Sequence, residues 1–341
     1  MRVALDATPL TVPKGGIARY TTELARALAR CYPQDEILLL SDQPKPPPTW
    51  LSRRWWFWGL PQELKRLAVQ VFHGTDYAVP YRRVCPSVLT LHDLSPWLDL
   101  SWHHDATRVR RRTPWMLRTH RASMVITTTQ AVRRQVLGRF GLPEDRVVVV
   151  PLAAAALFQP APPLQRPNPY FVTVSTLEPR KNLPRLFDAW RELRRSRNVD
   201  LLIVGRRRDD FPGLPQAEGL EWLGALEDSA LPPLLSGAVA FVYPSLYEGF
   251  GLPLLEAMQC GAPVIASTDP ALAEVSGGAA LHCDPRDTRP WIAAFESMLD
   301  NPSLREELRQ RSRTRAREFS WDRTAHLTHA VYEEAIRRFH G

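Results

Sequence analysis

The sequence predicts an α/β protein of two open parallel sheets. Residues 239–267, VAFVYPSLYEGFGLPLLEAMQCGAPVIAS, read as strand, glycine-bearing loop, helix and strand, which is the βαβ unit of a parallel sheet. Short β-branched runs ahead of helical stretches recur along the chain, the alternation that builds such sheets. At 341 residues the chain is too long for one ordinary core, and a proline-rich stretch between Pro151 and Pro169 divides it in two.

In the first half, residues 2–6 form a first strand, and the loop after it leads through Gly15-Gly16 into an amphipathic helix from about Ile17 to Cys31. The glycine pair lets backbone come close to a ligand, or simply makes a tight turn. Strands follow at 37–40, 69–73, 88–92, 124–128 and 147–150, giving a sheet of about six. Two of them end in histidine, His73 in HGTD and His92 in HDLSPW, at the strand ends where open α/β sheets bind ligands. Trp50, Trp55, Trp56 and Trp58 beside Arg53 and Arg54 would seat an acceptor, lie in a membrane interface or form the packed underside of a loop. The basic segment 106–121 reads as a solvated helix face open to a phosphorylated or lipid acceptor. His103-His104 lack a third ligand for a metal.

The second half opens with a strand at 170–175, and Arg180 and Lys181 follow it on the way into a helix. Two cations at a helix start are mildly unfavourable, which argues for an anionic ligand there. A strand at 201–204 ends at Gly205, a helix spans 226–236, and strand 239–243 precedes the loop with Glu248, Phe250 and Gly251. Leu252 and Pro253 open the next helix, which carries Glu256 eight positions after Glu248 (256 − 248). Free amides at that helix start suit phosphates, and acids on either side suit sugar hydroxyls, though both acids also fit ordinary structural places. Strands at 264–266 and 279–283, two charged helices over 286–317 and a last helix capped near Ser320 complete the chain.

Composition narrows the function. No apolar run reaches the 18 or more residues of a membrane span, and MRVALDATPL reads as a strand rather than a signal, so a cytoplasmic location is expected. The four cysteines show no CxxC spacing, which argues against a zinc cluster or disulfide framework. Net charge is +8 and only four of the 44 basic residues are lysine. An arginine-rich surface admits peripheral contact with an anionic membrane at its inner face, or reflects genome composition. No nucleic-acid motif accompanies the charge, so a nucleic-acid partner is not expected. A dehydrogenase is disfavoured because no GxGxxG follows a strand.

The wording EGFGLPLLEAMQCGAPVIAS resembles the E-x7-E signature of retaining glycosyltransferases of family 4, which have the GT-B architecture: two Rossmann-like domains facing across a cleft. GGIARYTTELARAL, TLHDLSPW, LEPRKN and FSWDRT resemble further segments of that family, so that the likeness runs over nearly the whole chain. It implies a first domain over 1–160 with a terminal helix of about 322–341 packing back on it, and a nucleotide-sugar domain over 161–321. It implies that Gly15 and Gly16 face the donor diphosphate, that His92 lies against the donor hexose, and that Arg180 and Lys181 stabilise the departing nucleoside diphosphate. Backbone at Phe250, Gly251 and Leu252 assists, Glu256 holds ribose hydroxyls, Glu248 holds hexose hydroxyls, and Gly205 and Leu223 border the base. Many members carry an arginine where this chain has Ser175, so Arg180 is expected to substitute for it.

The implied activity is retaining, metal-independent hexosyl transfer from a nucleotide-diphospho-sugar co-substrate, with no cofactor, to a saccharide or lipid-linked acceptor. TLHDLSPW and VSTLEPRKN look most like members acting on GDP-mannose in surface-polysaccharide assembly. A UDP- or dTDP-sugar donor, a nucleotide-sugar epimerase, and a catalytically silent glycan- or membrane-binding protein on the same scaffold are the alternatives.

Overall fold

The computed structural model describes residues 1–11, 15–42, 54–103, 106–209, 211, 213 and 215–340. Trp50, Arg53, His104 and Asp210 lie outside the described residues. The chain divides into two compact units, Met1–Leu152 with Ser320–Gly341, and Ala153–Phe319. The division falls inside the proline-rich stretch, near its start and ahead of the expected boundary at 160/161. Ala155 already bonds within the second unit, accepting from Gln259 Nε2 (3.4 Å).

The first unit contains β1 (Arg2–Asp6), α1 (Gly16–Cys31), β2 (Glu36–Leu40), α2 (Leu60–Arg66), β3 (Val71–Gly74), β4 (Ser87–Leu91), α3 (Ser95–Leu98), α4 (Thr107–Arg118), β5 (Met124–Thr127), α5 (Gln130–Phe140) and β6 (Val147–Val149). Its sheet is wholly parallel in the order β2-β1-β3-β4-β5-β6. VFHG and SVLTL, central strands covered on both faces, are buried throughout, and their polar members His73 and Thr90 bond one another (2.7 Å). Phe72, Leu89, Val125 and Val132 centre the core, and Trp55 and Trp56 pack against it, as the loop-underside alternative expects.

The second unit contains β7 (Tyr170–Val174), α6 (Leu183–Arg194), β8 (Asp200–Val204), β9 (Leu220–Gly224), α7 (Leu231–Gly237), β10 (Ala240–Tyr243), α8 (Leu252–Gln259), β11 (Val264–Ser267), α9 (Pro270–Ser276), β12 (Ala280–Cys283), α10 (Arg289–Asp300) and α11 (Pro302–Ala316). The parallel order is β12-β11-β10-β7-β8-β9, with Trp190, Trp291, Phe171 and Phe295 in the core. The helix expected over 226–236 starts later, at Leu231, where prolines occupy its first turn. β9 and α9 are not apparent from the apolar pattern. The first is a half-exposed edge strand with Glu221 in it, and the second is a short helix started by the Asp269 cap.

The last helix, α12 (Trp321–His340), belongs to the first unit. The Ser320 hydroxyl accepts from Arg323 N (3.1 Å), Tyr332 bonds His73 Nδ1 (2.7 Å), and His329 stacks on Tyr32 with ring centroids 3.6 Å apart. No helix among the described residues is long and apolar enough to cross a membrane.

Candidate active site

In each parallel sheet the strand order reverses once, and at that point loops diverge and leave a crevice at the carboxyl edge. In the second unit the reversal falls between β7 and β10. The loop after β7 carries Glu178, Arg180 and Lys181, and the loop after β10 carries Glu248. The topology thus brings together residues 68 positions apart in sequence (248 − 180).

They form one buried, charged cluster. Lys181 Nζ donates to Glu248 Oε1 (2.5 Å) and to the Tyr243 hydroxyl (3.0 Å). Arg180 Nη1 donates to Glu248 Oε2 (3.2 Å) and Tyr247 O (3.1 Å), while its Nε lies 2.7 Å from Glu178 Oε1. Arg208, after β8, reaches Glu178 Oε2 (3.2 Å). Glu248 and Lys181 are each 6% exposed. Burial pushes the Glu248 carboxyl up, but the charges of Lys181 and Arg180 outweigh it and hold the group below its ordinary value. Lys181 is pulled down by burial and by Arg180, against the opposing pull of Glu248. Burial and the Glu248 charge raise Tyr243 well above the phenol range, so it stays a neutral hydroxyl.

This corrects one argument from sequence. The cost of two cations at the start of α6 is offset by carboxylates within the protein, so that cost by itself does not call for a ligand. Nor is Glu248 a solvated loop residue.

Local backbone explains the placement. Asn182 sits at φ 55° and its amide donates to Pro244 O (3.2 Å) and Pro285 O (2.8 Å), tying the cationic loop to those after β10 and β12. Gly251, at φ 87°, starts α8, and a Cβ there would lie 2.4 Å from Leu272. Phe250 and Leu252 flank it, and Glu256 lies inside α8, 3% exposed. Gly205 presses on Ser175 and accepts from Trp222 Nε1 (3.0 Å), beside Leu223 in β9.

Sequence reasoning passed over Glu178, Arg208 and Asp269. Glu178 stands inside LEPRKN, and the Asp-Pro pair at 269–270 is a helix-start signal. Asp269 accepts from Ala271 N (2.9 Å), Leu272 N (3.2 Å) and Glu248 N (3.4 Å), so one carboxylate caps α9 and steadies the Glu248 loop. Asp269→Ala is expected to lose about 1–2 kcal/mol in urea unfolding, while Asp269→Asn, an equally good cap, stays within about 0.5 kcal/mol.

In the first unit the order reverses between β1 and β3. Gly15 precedes α1 with extended backbone, and a Cβ on Gly16 would meet nothing within 4 Å. His92 Nε2 bonds Thr75 O (2.9 Å), its ring lies edge-on to Tyr20 at 4.7 Å, and burial lowers its pKa, keeping it neutral. His73 is wholly buried between Tyr332 and Thr90, and burial takes its pKa to about 3, a structural role. His103 bonds Ser95 Oγ (2.7 Å).

Asp76, also missed from sequence, follows β3. Burial, then the charges of Asp6 and Asp93, raise its pKa to about 7, and its Oδ1 is buried without a hydrogen-bond partner. The folded chain holds this proton up to about pH 7, whereas the unfolded chain releases it near 3.8. Between those values the native state binds more protons, so stability is lost as pH rises through about 7. Asp76→Asn is expected to raise unfolding free energy at pH 8, by at most about 4 kcal/mol, and to change nothing at pH 3.5, in paired urea titrations.

Residues 158–315 match the family of Glycosyl transferases group 1, and residues 14–156 match Glycosyltransferase Family 4. The chain is 33% identical over 283 residues to O-antigen chain mannosyltransferase B of Escherichia coli, covering 77% of this chain and 74% of that one. It is 34% identical over 242 residues to the MMP alpha-(1→4)-mannosyltransferase of Mycolicibacterium hassiacum, covering 68% of this chain and 56% of that protein. Among solved structures, the sucrose-phosphate synthase of Thermosynechococcus elongatus superposes with a TM-score of 0.77 at 19% identity, covering 98% of both chains. The Anabaena HepE protein in complex with UDP and glucose gives 0.71 at 16% identity, covering 98% of this chain and 100% of that one. The fold is thus that of the GT-B glycosyltransferases. The chain belongs to glycosyltransferase family 4 and is a hexosyltransferase.

Proposed function

We propose that the protein is a retaining, metal-independent glycosyltransferase that moves a mannosyl group from GDP-mannose to a saccharide or lipid-linked acceptor in polysaccharide or glycolipid assembly. The observation that carries this is the buried Arg180–Lys181–Glu248 cluster at the strand-order reversal of the second sheet. The mannosyltransferase names of the relatives support the sugar. The UDP complex of HepE keeps a UDP-sugar as the second reading for the donor.

In this reading the cluster is a set of exchangeable ion pairs. Arriving diphosphate takes Arg180 and Lys181 as partners, with amides at Phe250 and Gly251, and frees Glu248 to accept hydrogen bonds from the hexose. Glu256 takes the ribose hydroxyls, and Gly205 and Leu223 border the base. The bond between C1 and the leaving phosphate oxygen breaks as the acceptor oxygen attacks from the same face, and the diphosphate takes the acceptor proton. Two cations neutralise the leaving charge, the work a metal ion performs elsewhere. A cytoplasmic location at the inner membrane face suits a lipid-linked acceptor.

The test is a transfer assay over GDP-, UDP- and dTDP-sugars with the anomeric configuration of the product read by NMR. Consumption of GDP-mannose with retained configuration supports the reading. Turnover of UDP- or dTDP-sugars alone moves the donor. Product from donor without acceptor makes it an epimerase, and glycan or vesicle binding with no turnover makes it a silent scaffold.

A further inference from the structure

From Ala106 to Pro143 the sequence has nine arginines and neither aspartate nor glutamate. The fold gathers part of this charge with aromatic rings from three other segments. Arg82 stacks over Trp58 (4.6 Å), Arg112 over Tyr81 (5.3 Å), Arg121 over Trp115 (4.6 Å) and Arg83 over Phe339 (5.0 Å). The pairs are contiguous. Tyr81 and Trp115 meet edge to face at 5.8 Å, Arg121 Nε donates to Tyr81 O (3.1 Å), and residues 81–83 link the Trp58 and Phe339 ends. Trp115 and Phe57 stay 41% and 43% exposed, and Arg111 and Arg118, one turn to either side of Trp115 on α4, are exposed with it.

Arg112 and Arg121 are held by neutral oxygens and ring faces, which fix their direction without cancelling their charge.

We infer that this arginine–aromatic strip on the first unit docks the protein on the headgroup region of an anionic lipid bilayer. A phosphate-bearing surface complements charge spread over several elements, and exposed Trp and Phe side chains on the same strip fit the interface between headgroups and acyl chains. A nucleic acid would complement the charge as well, but exposed Trp115 under Arg121 and exposed Phe57, edge-on at 5.0 Å to the Trp58 ring that Arg82 covers, favour the interface. The inference deepens the membrane-face location proposed above. Its test uses neither donor nor acceptor, so its failure leaves the glycosyltransferase reading standing.

The test is co-sedimentation of the full chain with vesicles of phosphatidylcholine alone and of phosphatidylcholine with about 30% phosphatidylglycerol, at low and high salt. Binding to the anionic vesicles only, weakened by salt, is expected. Each arginine near such a surface adds roughly fivefold, so Arg82→Glu/Arg111→Glu/Arg118→Glu should weaken binding by at least about 100-fold. Trp115→Ser should weaken it with its salt dependence intact. Both variants are surface changes, and unaltered circular dichroism and urea unfolding establish that they fold. Equal binding to neutral vesicles, unchanged binding by the triple variant, or a single-stranded RNA that binds more tightly than the vesicles and displaces them would each overturn the inference.

Discussion

Lys181→Ala is expected to lower kcat for glycosyl transfer by about 10³-fold and to destabilise the second unit by about 3 kcal/mol. Two effects combine. In catalysis, the role proposed for Lys181 is to face the leaving diphosphate, and loss of one such preorganised charge costs about 10²–10³ in rate. In stability, Lys181 is the closer of two cations on a carboxylate that is 6% exposed, and its removal leaves Arg180 at 3.2 Å as the cation facing Glu248 among the described residues. The expected loss sits at the lower end of the range for a broken buried pair because Arg180 remains. Lys181→Met with Glu248→Gln removes both charges and should recover most of the stability but none of the activity. Urea unfolding and kcat at saturating donor separate the two effects.

Gly205→Ala is expected to cost more than about 4 kcal/mol and to lower the melting temperature by about 10 °C. The residue adopts φ 140°, and a Cβ built on it would lie 1.8 Å from Ser175 O and 2.7 Å from Ser175 C. Those are main-chain atoms of the neighbouring strand end, which cannot turn aside as a side chain can. Gly205 N is also bonded to Gly224 O (2.8 Å), so relief of the clash would pull β8 from β9. Gly138 is the control. It lies in α5 with nothing within 4 Å of an added Cβ, and Gly138→Ala should leave stability unchanged or raise it by up to about 1 kcal/mol. Thermal melts of the two variants side by side distinguish a local steric demand from a general intolerance of substitution.

Much of the fold was legible because buried parallel strands must be apolar on both faces, and such runs as FVTV and LLIV cannot be mistaken for solvated chain. The edge strand β9 escaped because one exposed side relieves that requirement. At the site, Arg180, Lys181 and Glu248 were legible as chemistry, since each follows an apolar strand into a loop. What could not be read was their pairing. Whether Lys181 meets Glu248 is decided by β7 and β10 being neighbours across the reversal of strand order, a fact of topology that neither segment carries alone. Asp269 and Arg208 were hidden for the same reason, as each reaches its partner from the end of a different strand. Asp76 was hidden because nothing in HGTD signals how little water reaches its carboxyl.

Whether the Arg180–Lys181–Glu248 cluster holds a diphosphate is measured by calorimetric titration of GDP into the wild-type chain and into Lys181→Ala. The wild type is expected to bind the nucleoside diphosphate, and the variant to bind it at least about 100-fold more weakly. Equal affinity in the two, or no binding of GDP, UDP or dTDP to a folded wild-type chain, would contradict it.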